Sequence, residues 1–193
     1  MWTPHLRHLA LAAALLSSAA ATPGCAPYSV VQRSGPPSAL QGAKLVLVRF
    51  DWSQVQVLDK SEADYLAEKS AEERADFAQI KTETDAAILR GMQDQAGQVF
   101  AAAGAEVDPN ATLLVVHYGY VQTGIYTPVF SLPSKLAVRF AWSREGQVTD
   151  VIEANAAIGA SMSTPSDHQR MEMAGKLVGK AAGRFFVRAQ SGK

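Results

Sequence analysis

Few residues in this chain combine type and spacing in a way that could do chemistry. Two of its four histidines, His5 and His8, lie in the first eight residues, which leaves His117 and His168 for the rest. A protein metal site draws three or four ligands together. The chain has neither an H-E-x-x-H helix nor a cysteine pair, so no metal and no cofactor are expected. Gly159-Ala160-Ser161-Met162-Ser163 approaches the G-x-S-x-G nucleophile elbow but has Ser163 where the second glycine belongs. A hydrolase would therefore need a non-standard site around Ser161 or Ser163. Asp150 and Glu153 are three apart in a stretch that reads as a strand, so they point to opposite faces and cannot share a substrate. No phosphate-binding glycine pattern occurs. The expected set of catalytic residues is accordingly empty.

Two other groups suit contact rather than catalysis. Gly175, Gly179 and Gly183 stand four apart on what reads as the last helix. Each glycine there costs about 1 kcal/mol relative to alanine unless close packing offsets it. Such a ridge packs either inside the chain or against a partner. Tyr118, Tyr120, Tyr126 and Phe130 cluster with Gly119, Gly124, Pro128 and Pro133, and aromatics in such a loop can cover a sheet edge or meet a partner. The expected partner-contact residues are Gly175, Gly179, Gly183, Tyr120, Tyr126 and Phe130.

The elements that must position these groups follow from periodicity. Lys44 to Trp52 alternates as a strand, with Val46, Val48, Phe50 and Trp52 on one face. From Ser61 to Ala103 the period turns helical: residues 61 to 76 read as a solvated helix or an irregular acidic loop, and Phe77, Ile80, Ile88, Met92, Ala96, Val99 and Phe100 as a long amphipathic helix, with Gly104 as the expected cap. Thr112 to Val121 is apolar on both faces, as a central strand would be. Lys135 to Trp142 alternates, Ser143 to Gly146 turns, and Gln147 to Ala160 returns as a hairpin partner. A final helix starts near Thr164, Ser166 or Asp167 and runs to about Ala189. The order strand-helix-strand-strand-strand-helix predicts an α+β fold. It would be a single, mainly antiparallel sheet of about four strands with two helices on one face.

The N-terminus is an address. Arg7 is the only fixed charge before an apolar run from Leu9 to Leu16, which is too short to span a bilayer and has the form of an export signal. Two exits exist. Ala19-Ala20-Ala21 would release a soluble periplasmic protein, and Gly24-Cys25 offers the other route. Cys25 is the chain's only cysteine, so no internal disulfide can account for it. The Gly24-Cys25 junction resembles the lipobox of bacterial lipoproteins. That resemblance implies cleavage before Cys25 and a diacylglycerol and palmitate-type anchor on its sulfur. Ala26, where an Asp would favour the inner membrane, implies the outer membrane.

Three segments are then expected: a signal over 1–24, a lipidated Pro/Gly/Ser tether over 25–42, and one globular domain over 43–193. Without Arg7 the chain carries 17 basic and 18 acidic residues, a balance that argues against nucleic-acid binding. Signal, lone cysteine and strand-helix-strands-helix order are together similar to accessory lipoproteins of ABC transporters and to uncharacterised envelope lipoprotein families. The resemblance implies non-enzymatic docking work in the cell envelope, with the membrane and an envelope protein as partners. A periplasmic domain that binds a small ligand or lipid is the alternative reading.

Overall fold

A computed structural model describes residues 28–33, 38–105, 108, 110–127 and 129–191. The expected signal and Cys25 lie outside the described residues. No described helix is long and apolar enough to cross a membrane.

The strands are β1 (Tyr28–Arg33), β2 (Val46–Asp51), β3 (Gln56–Val57), β4 (Lys60–Ser61), β5 (Phe100–Ala102), β6 (Thr112–Gln122), β7 (Ile125–Tyr126), β8 (Ser131–Leu132), β9 (Ser134–Arg144) and β10 (Gln147–Ile158). The helices are α1 (Glu62–Ala67), α2 (Ala71–Ala96) and α3 (Asp167–Gln190). Eight strands form one mixed sheet with the main path β1-β10-β9-β6-β2-β5; β3 pairs with β6 and β4 with β3. β7 and β8 form a separate two-stranded ribbon.

This corrects the expectation of a mainly antiparallel four-stranded sheet with two helices. β2 lies parallel to both β6 and β5, so that half of the sheet is parallel, whereas β6-β9-β10-β1 is antiparallel. The helix expected over 61–103 is three pieces. Ser70 ends the first break by capping α2: it accepts from the Glu73 amide while the Glu73 carboxylate accepts from the Ser70 amide. At the other end Gly97, at φ 70°, stops α2 seven residues before Gly104, and Phe100 starts a strand. Part of the segment 25–42 is ordered against the domain. Tyr28–Arg33 pairs with β10, and Ala39 and Leu40 are buried in the core.

All three long strands β6, β9 and β10 present one set of alternate residues to the helices: Leu114, Val116 and Tyr118; Val138, Phe140 and Trp142; Ile152 and Ala154. Each buried side chain of this size contributes about 1.5–3 kcal/mol. α3 lies on β9 and β10, and α2 packs along α3 and against β5. Within the described residues no element covers the opposite face of the sheet. The two helices run parallel, Thr84, Ile88 and Met92 lying over Gly175, Gly179 and Gly183.

Candidate functional site

The glycine ridge is buried against α2. A Cβ on Gly179 would overlap the Ile88 carbonyl, and one on Gly183 would come 2.8 Å from the Met92 carbonyl oxygen. Gly91 faces back at Lys176 and Gly179 in the same way. The structure therefore places Gly175, Gly179 and Gly183 inside the chain, away from the other expected contact residues.

Those others gather at one end of the sheet. β6 and β10 both run toward this end, and β9 starts there with Ser134 opposite Ile158. Two loops close it: residues 123–133, which contain the β7–β8 ribbon, and residues 159–166 before α3. A single side chain ties them. Arg170 is 1% exposed and donates to Ser134 Oγ at 3.0 Å, to the carbonyls of Thr164 at 3.0 Å and Pro165 at 2.5 Å, and to that of Thr123 at 3.3 Å. Ser134 Oγ in turn donates to the Thr123 carbonyl. A buried guanidinium has a high desolvation cost unless its donors are met, and here loop carbonyls meet them. The result is a fixed base under loop tips that are open: Ile125 is 50% exposed, Phe130 55%, Met162 89% and Val129 96%. Tyr126 is half-buried in the ribbon, and Tyr120 bonds Gln122 from the strand.

A polar cluster sits under the same half of the sheet. Trp52 and Tyr118 stack with centroids 3.6 Å apart. Both donate to Asp85 Oδ1 on α2, Tyr118 at 2.5 Å and Trp52 at 3.1 Å. Burial pushes the Asp85 carboxyl above its ordinary range, against the opposing pull of these two donors and of Lys81. Burial and the Asp85 charge push Tyr118 well up, so it stays a donor. Lys81 covers the Trp52 ring at 4.9 Å and pairs with Glu62 at 2.6 Å. A cleft of about 710 Å³ opens beside Trp52, Glu62 and Lys81. Asp85 spends its contacts on internal donors, so the cluster locks α2 to β2 and β6.

The uncovered sheet face forms a second open surface. Half-exposed Leu47, Leu113 and Val115 and buried Ala141 and Val151 lie along it. Polar side chains sit among them in pairs: His117 Nδ1 hydrogen-bonds Asp51 Oδ2 at 2.9 Å, and Arg139 pairs with Glu153 at 2.5 Å. Hydrogen bonds from Ser53, followed by His117, hold the Asp51 carboxyl below its usual range. A shallow groove of about 700 Å³ crosses this face between Gln32, His117, Ala137, Arg139, Val151 and Asn155.

The serine pair meets no histidine. Ser161 Oγ bonds Ser163 Oγ and Thr164 Oγ1, each at 2.9 Å. Both His168 nitrogens are taken, Nδ1 by Glu83 at 2.6 Å and Nε2 by Asp76 at 2.9 Å. Burial pulls the His168 pKa down, but the two carboxylates outweigh it and the net shift is upward. Asp150 is buried, with Ser38 donating to it at 2.5 Å, while Glu153 lies on the open face. No cluster of three or more metal-ligating side chains occurs among the described residues. Asp85 and Arg170 escaped the sequence reading. The only signal for either was a charge set at an apolar position of a helical repeat.

No protein-family model matches this sequence, and no curated protein does. Among solved structures, the chain is similar to the PelC dodecamer subunit of Paraburkholderia phytofirmans, at 13% identity and a TM-score of 0.41, over 80% of this chain and 96% of that one. It is also similar to a DUF330 protein of Xanthomonas campestris, at 10% identity and a TM-score of 0.45, over 87% of this chain and 97% of that one. Likeness at this level carries nothing about activity or assembly.

Proposed function

We propose that this chain is a bacterial envelope lipoprotein, anchored through acylated Cys25 in the outer membrane and facing the periplasm, that serves as a non-enzymatic docking component of an envelope assembly. The observation that supports docking is the uncovered sheet face. A one-layer arrangement leaves apolar side chains such as Leu113, Val115 and Val151 beside the Arg139–Glu153 ion pair and the hydrogen-bonded His117 and Asp51, a mixture typical of protein interfaces. Support for the anchor is the solitary Cys25 after Gly24, at the end of an apolar run.

A photo-cross-linker at exposed Asn155, in intact cells, is expected to capture one envelope protein. Wild-type chain is expected to incorporate labelled palmitate and Cys25→Ala is not. Capture of nothing from Asn155 sinks the docking reading, and an unlabelled wild type sinks the anchor. The groove on the same face supports a second reading, a small-ligand or lipid site. Saturable binding of a small apolar ligand, lost in Val151→Arg, would favour it over a protein partner.

A further inference from the structure

We infer that the loop end of the sheet is a lipid-contacting surface: the tips of loops 123–133 and 159–166 dip into the phospholipid headgroup layer and set the domain upright on the membrane that holds its anchor. This rests on the acylation of Cys25 proposed above.

The first observation is where the chain leaves the fold. β1 is antiparallel to β10, with Tyr28 opposite Ala154 and Arg33 opposite Asp150. Tyr28 is therefore the end of β1 nearer the loop end of the sheet. Only Ala26 and Pro27 separate it from Cys25. Three Cα–Cα steps reach at most about 11 Å. From Ala154, Ile158 at the loop end is four residues away, roughly 13 Å, whereas Gln147 at the other end is seven away, roughly 23 Å. A lipid on Cys25 brings the membrane within reach of the loop end and leaves the β9–β10 turn far from it.

The second observation is independent and concerns what that end displays. Residues 123–134 and 159–166 contain no Asp, Glu, Lys, Arg or His. Val129, Phe130, Ile125 and Met162 project there with half or more of their surface open. Tyr126 supplies the amphipathic ring that favours a membrane interface. Arg170, by holding the carbonyls beneath, keeps both loops in one rigid platform. The apolar tips stand beside a charged flank, Lys69, Glu73, Asp76 and Asp167 lining a pocket with Ile125 and Leu132, and this amphipathic arrangement suits headgroups and acyl chains.

The test uses the acylated full chain reconstituted in phosphatidylcholine vesicles, with and without phosphatidylglycerol. Acylation occupies Cys25, so a thiol-reactive fluorophore can be placed singly at Val129→Cys, Met162→Cys or, at the far end, Glu145→Cys. These three side chains are exposed, so the fold is retained. Probes at 129 and 162 are expected to shift to the blue and to be quenched by doxyl lipids, and the probe at 145 by aqueous iodide alone. In the same vesicles the double variant Val129→Ser, Phe130→Ser is expected to lower lipid quenching at 162 by roughly tenfold. Iodide quenching at 129 and 162 with no lipid quenching overturns the inference while leaving the anchor intact. Lipid quenching at 145 overturns it by inverting the domain. A chain that carries no acyl group overturns the anchor, and the orientation falls with it. Protection of 129 only when an envelope extract is added assigns the loops to a protein and overturns the lipid assignment.

Discussion

On one face of the sheet, Leu114, Val116, Phe140, Trp142 and Ile152 are sealed completely beneath α2 and α3. On the other, the neighbours of those same residues, Leu113, Val115, Ala141, Val151 and Glu153, meet solvent or lie one layer deep. The strands are shared, so the difference does not come from strand propensity. It comes from the helices, which can approach one face closely because α3 presents glycines where Thr84, Ile88 and Met92 pass. Stability is concentrated on the covered face, and the open face and the loop end are left available for contact.

The comparison breaks most readily at the ridge. Gly179→Ala forces the Ile88 carbonyl away and is expected to cost about 3 kcal/mol in urea unfolding. A change within 0.5 kcal/mol, roughly the size of a neutral surface substitution, would show that the helices separate freely and that the covered face is not specified by contact.

Next is Arg170→Leu. It leaves the Thr164 and Pro165 carbonyls and Ser134 Oγ without this donor, and the Thr123 carbonyl with the Ser134 hydroxyl alone, at an expected cost of about 2–3 kcal/mol. Limited proteolysis is then expected to cut within 123–133 or 159–166 faster than in the wild type. Unchanged cleavage would mean that the loops hold themselves.

A smaller effect is expected from His168. Its folded pKa is raised, so the stability it contributes is fully present below its unfolded value of about 6.5 and is lost as pH rises through the higher folded value. Thermal unfolding between pH 5 and pH 9, a span chosen to bracket about 6.5, should show a fall on the alkaline side that His168→Gln flattens. A rise over that range contradicts the pairing with Asp76 and Glu83.

The smallest effect on folding belongs to the open face. Arg139→Ala is expected to shift stability by less than about 0.5 kcal/mol, because its pair with Glu153 is solvent-exposed. Cross-link yield from Asn155 should nonetheless drop. Loss of fold without loss of capture would reverse the assignment of the two faces.

Much of this layout was legible in the sequence where a period was long. β2, β6, β9, β10 and α3 follow from alternation, turn residues or helical spacing. The parts that escaped were set by pairing across the chain or by a short polar signal. β1 and β5 are short, and each is a strand only because β10 or β2 lies beside it. The break before α2 was written as Ser70-Ala71-Glu72-Glu73, a capping box inside what read as a single acidic run. The β10 bulge between Val148 and Asp150 turned Val148 outward, against the simple alternation that Asp150, Ile152 and Ala154 follow on the buried face. At the candidate site, Tyr126 and Phe130 were visible as loop aromatics. Arg170, which holds their loops, was not, since no spacing rule places a buried arginine under the Thr123 carbonyl, 47 residues away in the chain.

The placement of β1 also bears on the order in which the protein can be finished. Tyr28–Arg33 comes early in the chain, yet its hydrogen-bonding partner is β10, the last of the described strands to be made. Contacts of such long sequence separation form late. Until Gln147–Ile158 is in place, the first strand waits with Val30 and Val31 open and its backbone groups unpaired, an edge that another copy of the chain could borrow. Speed of completion, and not only final stability, is therefore a property on which this fold depends.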